Sequence, residues 1–418
     1  MVLFQSFKDS RSEVMMLKKN RHTPIVSKAA PLIGSWLAAA SISCQTGSQH
    51  ISVFPAEAWP TSTPEAEGID PAAVAAINTD IVAGRYGLID HFLLIRHGRA
   101  VADFHYEHDY DSIAARYDTT NHQYNYDHPE WHPYFRDTDL HTLQSVTKSV
   151  TSAALGIAVD DGLIPDVSVP GLSFFDAYEP DMSDARRGDM TLQDMLTMRS
   201  GIDWDEMGSY LDSANSCVQM EASEEWIQFV LDHPMREEPG TRWDYNSGVS
   251  VLLGKIVQVA TGQRVDEWAR ERLFEPIGIT DFYWKITPDN EIDTEGGLYL
   301  SAHSLARIGY LFLRGGMWNG ERIVSEEWVR VSTSPVVTDI VPDNDRRDAG
   351  YGYQWWVPEH HGETVTIFAG NGYGGQFLMV APAYDVVVVF NAWNIHDAPD
   401  LSAWRALQDR ILPAIQNN

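Results

Sequence analysis

Ser145-Val146-Thr147-Lys148-Ser149-Val150-Thr151-Ser152 opens a proline-free stretch that runs to Asp161 and stops at Gly162. Val146, Val150, Ala153, Ala154 and Ile157 recur at helical spacing, and glycine is the residue expected just past a helix end, so a helix is predicted over 145–161. Ser145 and Lys148 stand three positions apart, which puts a hydroxyl and an amine on one face of its first turn. A serine hydroxyl is a weak nucleophile until a base takes its proton, and a lysine can be that base if burial and nearby charge lower its pKa. The helix N-terminus adds free amides and positive potential beside a reacting carbonyl. The lysine itself is unusual: past residue 50 the chain holds only Lys148, Lys255 and Lys285.

Working outward, His91-Phe-Leu-Leu-Ile-Arg96 and Ala100 to Tyr106 read as two strands joined at His97-Gly98-Arg99, with helical potential after Asp70. Residues 107–141 are rich in Asp, His, Tyr and Pro without periodicity, the character of a lid or wall over a site. Helical patterns follow at Thr191 to Met198, Glu224 to Leu231, Val249 to Ala260, Val265 to Leu273, Ser304 to Leu313 and Ser325 to Val331. Thr364 to Phe368, Gln376 to Ala381 and Val386 to Phe390 read as an antiparallel meander, and Leu401 to Ile415 as a closing helix. Strands at both ends with helices between predict an α/β fold: an antiparallel sheet flanked by helices, with an inserted mainly helical domain. The expected division is a leader over 1–50 and one body over 51–418, its α/β part near 60–160 and 300–418 and its helical part near 161–299.

The 30 basic and 59 acidic residues leave a net charge of −29, and residues 1–50 alone carry +4. A nucleic-acid groove built from clustered Lys and Arg is therefore excluded as an expectation. Lys18, Lys19, Arg21 and Lys28 precede a short apolar stretch, Ala29 to Ala40, and then small residues. That order predicts an export signal, and hence a periplasmic or secreted protein, or a cytoplasmic one if the leader is not a signal. Ser41-Ile42-Ser43-Cys44 resembles a lipoprotein box, making Cys44 a candidate lipid anchor; no stretch is long and apolar enough to span a bilayer. Cys44 and Cys217 allow one disulfide at most, and Cys217 reads as a filler, not a nucleophile.

A second motif, Trp243-Asp244-Tyr245-Asn246-Ser247-Gly248, stands before the apolar run from Val249. Together with Leu143 to Ser152, Thr191 to Gly201, Pro239 to Gly254, Gly296-Gly297-Leu298 and Ala369 to Gln376, it resembles the β-lactamase-related serine hydrolases. That family includes penicillin-binding proteins, class C β-lactamases, esterases, D-amino-acid peptidases and 6-aminohexanoate-dimer hydrolases. The resemblance implies a β-lactamase/transpeptidase-like fold and a cofactor-free, metal-free centre. It makes Ser145 the acylated nucleophile, Lys148 its proton acceptor, and Tyr245 a second general base or leaving-group acid. The amides of Ser145 and Tyr373 would form the oxyanion hole, and Ser247, Gly370, Asn371 and Gly372 would contact substrate. A phenolate at Tyr245 would need a nearby ammonium, which Lys148 could supply.

Two departures refine the expectation. Tyr245-Asn246-Ser247 has serine where the family has an asparagine, keeping a short polar group without the amide. The late Lys-Thr-Gly of the family would fall at Gly370-Asn371-Gly372, and no lysine follows Lys285. Without that anchor for a substrate carboxylate, the expected substrates are small esters, or amides lacking the carboxylate. β-Lactamase or D-amino-peptidase activity is the alternative, and a non-catalytic envelope module that binds peptides is a third reading. Ser213-Ala214-Asn215 is a rival to the Tyr245 motif, read as a turn. His128-Pro-Glu-Trp-His132 superficially suggests metal ligands, but Pro129 spoils the helix such a pair needs. Tyr351, Tyr353, Trp355 and Trp356 are candidates for an acyl pocket, and His360 and His361 read as turn residues.

Overall fold

His97 (φ 51°) and Gly98 (φ 76°) both sit in the left-handed region, the geometry of a two-residue turn between antiparallel strands. They join β1 (Ile89–Arg96) to β2 (Arg99–His105). The computed structural model describes residues 53–109, 112–113, 115–116, 138–210, 212–338, 340, 349–361 and 364–416. The leader expected over 1–50, including Cys44, and the His128 to His132 stretch lie outside them.

Six later strands complete the sheet: β3 (Val337–Thr338), β4 (Gly350–Tyr351), β5 (Trp356–His361), β6 (Thr364–Gly372), β7 (Gln376–Ala381) and β8 (Val386–Ala392). Their order is β2-β1-β8-β7-β6-β5-β4-β3, all pairs antiparallel. The two-residue period of the strands sorts their side chains into two cores. Leu93, Ile95, Phe368, Leu378, Val380, Val387 and Val389 face one core, which also contains α2 (Val146–Asp160), α3 (Ser247–Thr261) and α4 (Ala302–Leu313). Phe92, Leu94, Met379, Val386, Val388 and Phe390 face the other, with α1 (Pro71–Val82) and the C-terminal helical turns. Each fully buried valine or leucine in these faces contributes on the order of 1.5–3 kcal/mol.

α2 differs from an ordinary surface helix, because every residue from Val146 to Ala158 is buried. Its polar side chains must then find internal partners: Ser149 Oγ donates to Gln354 O at 2.7 Å and Thr151 Oγ1 to Thr294 O at 3.2 Å. Trp268 Nε1 donates to Ala154 O at 3.0 Å, fastening the helical region to α2.

Several boundaries depart from the sequence reading for identifiable reasons. β6 continues through Gly370-Asn371-Gly372, because Gly370 pairs with Leu378 and Gly372 with Gln376; cross-strand pairing overrides the low strand propensity of these residues. His360 and His361 belong to β5, paired with Val365 and Thr364, and are not turn residues. The helix expected over 265–273 ends as Val265–Ala269 and widens into a π turn before Pro276; the closing helix likewise breaks into short turns around Pro413. In both places a proline lacks the N–H that would continue the helix. A short helix, Ser216–Glu221, was not foreseen. Asn215 caps it, accepting from Cys217 N and Val218 N, so Ser213-Ala214-Asn215 is a turn and a cap. Among the described residues no helix is long and apolar enough to cross a membrane.

Candidate active site

Gln144 holds φ at 49°, a left-handed conformation uncommon for a residue with a side chain, and brings the chain from the short strand His141–Thr142 into α2. Ser145 is the N-cap of that helix, and its hydroxyl makes no capping bond. The close approach of α2 to the sheet depends on glycine: a Cβ on Gly370 would lie 2.7 Å from Val146 Cγ1, and one on Gly372 would lie 2.4 Å from Leu143 O. The glycine-rich end of β6 thus sets the helix start against the sheet.

Lys148 is 1% exposed, and its ammonium donates three hydrogen bonds. They go to Ser145 Oγ at 3.0 Å, to Glu295 O at 2.8 Å and to Glu295 Oε2 at 3.0 Å. An ammonium has three donors, and all three are used. Burial works against the charge, yet Tyr245 and the carboxylates of Glu295 and Glu206 outweigh it and hold the lysine pKa well above its ordinary value. This corrects the expectation that burial would lower it: the amine is buried together with carboxylates.

Tyr245 arrives from the other side, directly before α3, whose first turn is capped by Asn246 accepting from Val249 N at 3.0 Å. Its ring stacks on Trp356, with centroids 5.7 Å apart, and Lys148 Nζ lies 5.3 Å from its centroid. Burial pushes the phenol up to about 12, opposed by the Lys148 ammonium and by a hydrogen bond with Ser145. Ser145, Lys148 and Tyr245 are thus brought together.

Sequence reading missed the two carboxylates. Glu295 precedes the noted Gly296-Gly297-Leu298, and nothing local marks it. Glu206 accepts from Trp204 Nε1 at 2.7 Å, Tyr210 Oη at 2.8 Å, Ser247 N at 2.7 Å and Ser247 Oγ at 2.5 Å; burial pushes its pKa up. Ser247, expected to contact substrate, is instead engaged by Glu206. It is fully buried, and its hydroxyl is spent on Glu206.

The cleft at Ser145 is lined by Glu206, Met207, Tyr210, Tyr245, Trp356, Asn371, Gly372 and Tyr373 among others. Gly370 is not in its wall and packs on Val146 instead. Of the four aromatics expected to line it, only Trp356 does. Trp355 packs between Phe312 and Phe368, Tyr353 against Trp328, and Tyr351 against Trp243 and Trp356. Among the described lining residues there is no lysine or arginine. Cys217 is buried near the carboxylates, and burial holds its thiol well above the usual range, so it is an inert filler.

The sequence model of the β-lactamase family matches residues 106–409. The 6-aminohexanoate-dimer hydrolase of Paenarthrobacter ureafaciens is 28% identical over 297 residues, 66% of this chain and 72% of that protein. The monacolin J acid methylbutanoyltransferase of Aspergillus terreus is 32% identical over 128 residues, 30% of this chain and 31% of that protein. The octameric penicillin-binding protein homologue from Pyrococcus abyssi has a TM-score of 0.58 at 19% identity, covering 81% of this chain and 77% of that one; at that identity it speaks for the fold alone. With a family match that takes in most of its 418 residues and an antiparallel sheet flanked by helices to go with it, the chain belongs to the β-lactamase family of serine hydrolases.

Proposed function

We propose that the protein cleaves small esters, or amides lacking a carboxylate, through an acyl-enzyme on Ser145. The observation that carries this reading is the position of Lys148 Nζ, 3.0 Å from both Ser145 Oγ and Glu295 Oε2. An ammonium cannot accept a proton, so Lys148 takes the proton of Ser145 as it passes one of its own to the Glu295 carboxylate. The serine oxygen bonds to the substrate carbonyl carbon, and the developing oxyanion takes hydrogen bonds from the amides of Ser145 and Tyr373. Tyr245, a neutral phenol at neutral pH, is suited to protonate the leaving group as the carbonyl reforms. Water, or an alcohol in an acyl transfer, then attacks the acyl-enzyme while giving its proton to the Tyr245 phenolate, and Glu295 returns its proton through Lys148 to the departing Ser145 oxygen, which restores all four groups.

The cleft supports the substrate class. Its aromatic walls suit an apolar acyl group, and a substrate carboxylate would meet Glu206 with no cation in the described lining. That favours esters over the β-lactam and D-peptide readings. Incubation with a panel of p-nitrophenyl and alkyl esters, amides and β-lactams, followed by intact-mass measurement, tests the proposal. A mass increase equal to the acyl group, absent in Ser145→Ala, is expected for neutral esters. Full p-nitrophenyl butyrate hydrolysis by Ser145→Ala would remove the nucleophile. Labelling of Ser145 by a fluorophosphonate without turnover of any substrate would instead favour a binding module.

A further inference from the structure

The β1–β2 hairpin carries a group of side chains that the Ser145 chemistry does not use. His91 pairs directly across the strands with His105, and Asp103 lies two residues before His105, so all three project from one face of the hairpin. Their ligand atoms lie within 4.8 Å of one another. His91 Nε2 is 2.7 Å from Asp103 Oδ1, His105 Nε2 is 3.9 Å from the same oxygen, and the two imidazole centroids are 3.7 Å apart. His303, in the first turn of α4, reaches the other carboxylate oxygen, with Nε2 2.9 Å from Asp103 Oδ2.

We infer that His91 Nε2, His105 Nε2 and Asp103 Oδ1 form a binding site for a divalent transition-metal ion of the zinc type, with His303 holding the carboxylate from behind. Two imidazoles and a carboxylate are ligands that zinc accepts. In a tetrahedral site with bonds of about 2.1 Å, neighbouring ligand atoms stand about 3.4 Å apart. The present separations of 2.7 and 3.9 Å to Asp103 Oδ1 bracket that value, and all three ligand atoms lie within 4.8 Å of one another, so side-chain adjustment alone would admit the ion. A second partner fixing the ligating carboxylate, as His303 does here, is a regular companion of metal ligation.

The surroundings have the same chemical character. His91 and His105 line a cavity shared with Asp90, His108 and His141. His141 is 6% exposed, and its Nε2 is enclosed without a hydrogen bond, 3.3 Å from Asp90 Oδ2. The cavity thus gathers further imidazoles and a carboxylate beside the ligands, with the Asp90–His141 pair in its wall. The exposed His105 ring leaves a route for entry. All three ligands stand on paired strands, so they are held by the sheet. Such an ion would tie the edge hairpin to the start of α4 and would take no part in acyl transfer.

Tag-free protein, stripped with a chelator and dialysed, should take up about one equivalent of Zn²⁺ by calorimetry and metal analysis. It should also give the visible spectrum of low-symmetry cobalt when loaded with Co²⁺. His105→Ala and Asp103→Asn should lose that binding, and His303→Gln should weaken it by about 10–100-fold, while ester hydrolysis by all three reports that they fold. Failure of the intact chain to bind stoichiometrically, or unchanged binding in His105→Ala and Asp103→Asn, would overturn the assignment.

Discussion

Glu295→Gln separates two ways of activating Ser145, because they move the pH profile in opposite directions. The carboxylate lies 3.0 Å from Lys148 Nζ, and both side chains are almost fully buried. At an effective dielectric constant of ~20, unit charges at that distance interact by about 5 kcal/mol, equivalent to ~4 pKa units on the lysine as an upper value. If Glu295 receives a proton through Lys148, the reactive form of the pair is the ammonium–carboxylate itself. The wild-type kcat/KM is then level from mildly acidic pH upward, and its acid limb reports protonation of the carboxylate. Glutamine cannot accept a proton, so the variant must wait for a free amine. Its ascending limb moves to higher pH, and kcat/KM at neutral pH falls by about 10²–10⁴-fold. If instead Lys148 acts alone as a free amine, Glu295 only suppresses that amine. Removing the carboxylate then lowers the lysine pKa, moves the limb to lower pH by up to ~4 units and speeds neutral hydrolysis. Profiles of kcat/KM for one neutral ester between about pH 5 and pH 10 decide the matter, with circular dichroism to show that the variant folds. A limb that moves down with its plateau intact refutes the relay.

Three further perturbations have defined outcomes. Because burial holds Tyr245 at about 12, it is a protonated acid at neutral pH, and Tyr245→Phe should slow alkyl esters by about 10²–10⁴-fold while sparing p-nitrophenyl esters, whose leaving group departs as an anion; equal losses on both would assign the phenol to nucleophile activation. Gly370→Ala would set a methyl 2.7 Å from Val146 Cγ1, so denaturant titration should show a loss of about 1–3 kcal/mol, with ester turnover reduced as the start of α2 shifts. Glu206→Gln should cost about 1–3 kcal/mol, read as a lower denaturation midpoint, because the amide nitrogen would face donors from Trp204, Tyr210 or Ser247; an unchanged midpoint would mean that the four-donor arrangement contributes little.

Tyr245 came from the family resemblance of its motif before an apolar run, whereas Ser145 and Lys148 were legible in the sequence because each is a distinctive residue type beside a local signal, a helix start and a nearly lysine-free background. The same holds for β1, β2, β7 and β8, whose apolar character and turn residues are local. Glu295 and Glu206 carry no such mark. Glu295 meets Lys148 across a separation of 147 residues, and Glu206 meets Ser247 across 41, so only packing brings them together. β5 escaped for a related reason: Pro358, Glu359 and two histidines are poor strand formers by themselves, and pairing with β6 makes them a strand.

The serine at 247 and the carboxylate at 206 are direct partners. An asparagine amide at 247 could itself have faced a substrate, whereas the shorter Ser247 turns inward and gives both its donors to Glu206. Glu206, so held, remains in the cleft wall, where a buried carboxylate needs such donors to be tolerated. The missing lysine in the Gly370–Gly372 stretch acts in the same direction. A family member with that lysine would set a second cation beside Lys148; here Lys148 is surrounded by two carboxylates and has no companion in the described lining. An anionic substrate would therefore add a third negative charge beside two carboxylates, with only the Lys148 ammonium, already paired with Glu295, to meet it. The oxyanion of the proposed reaction is different in kind, since the backbone amides proposed to receive it do not depend on side-chain identity. On the proposed reading, the serine at 247 and the missing lysine would lower the affinity for carboxylate-bearing substrates while leaving acyl transfer on Ser145 unaffected.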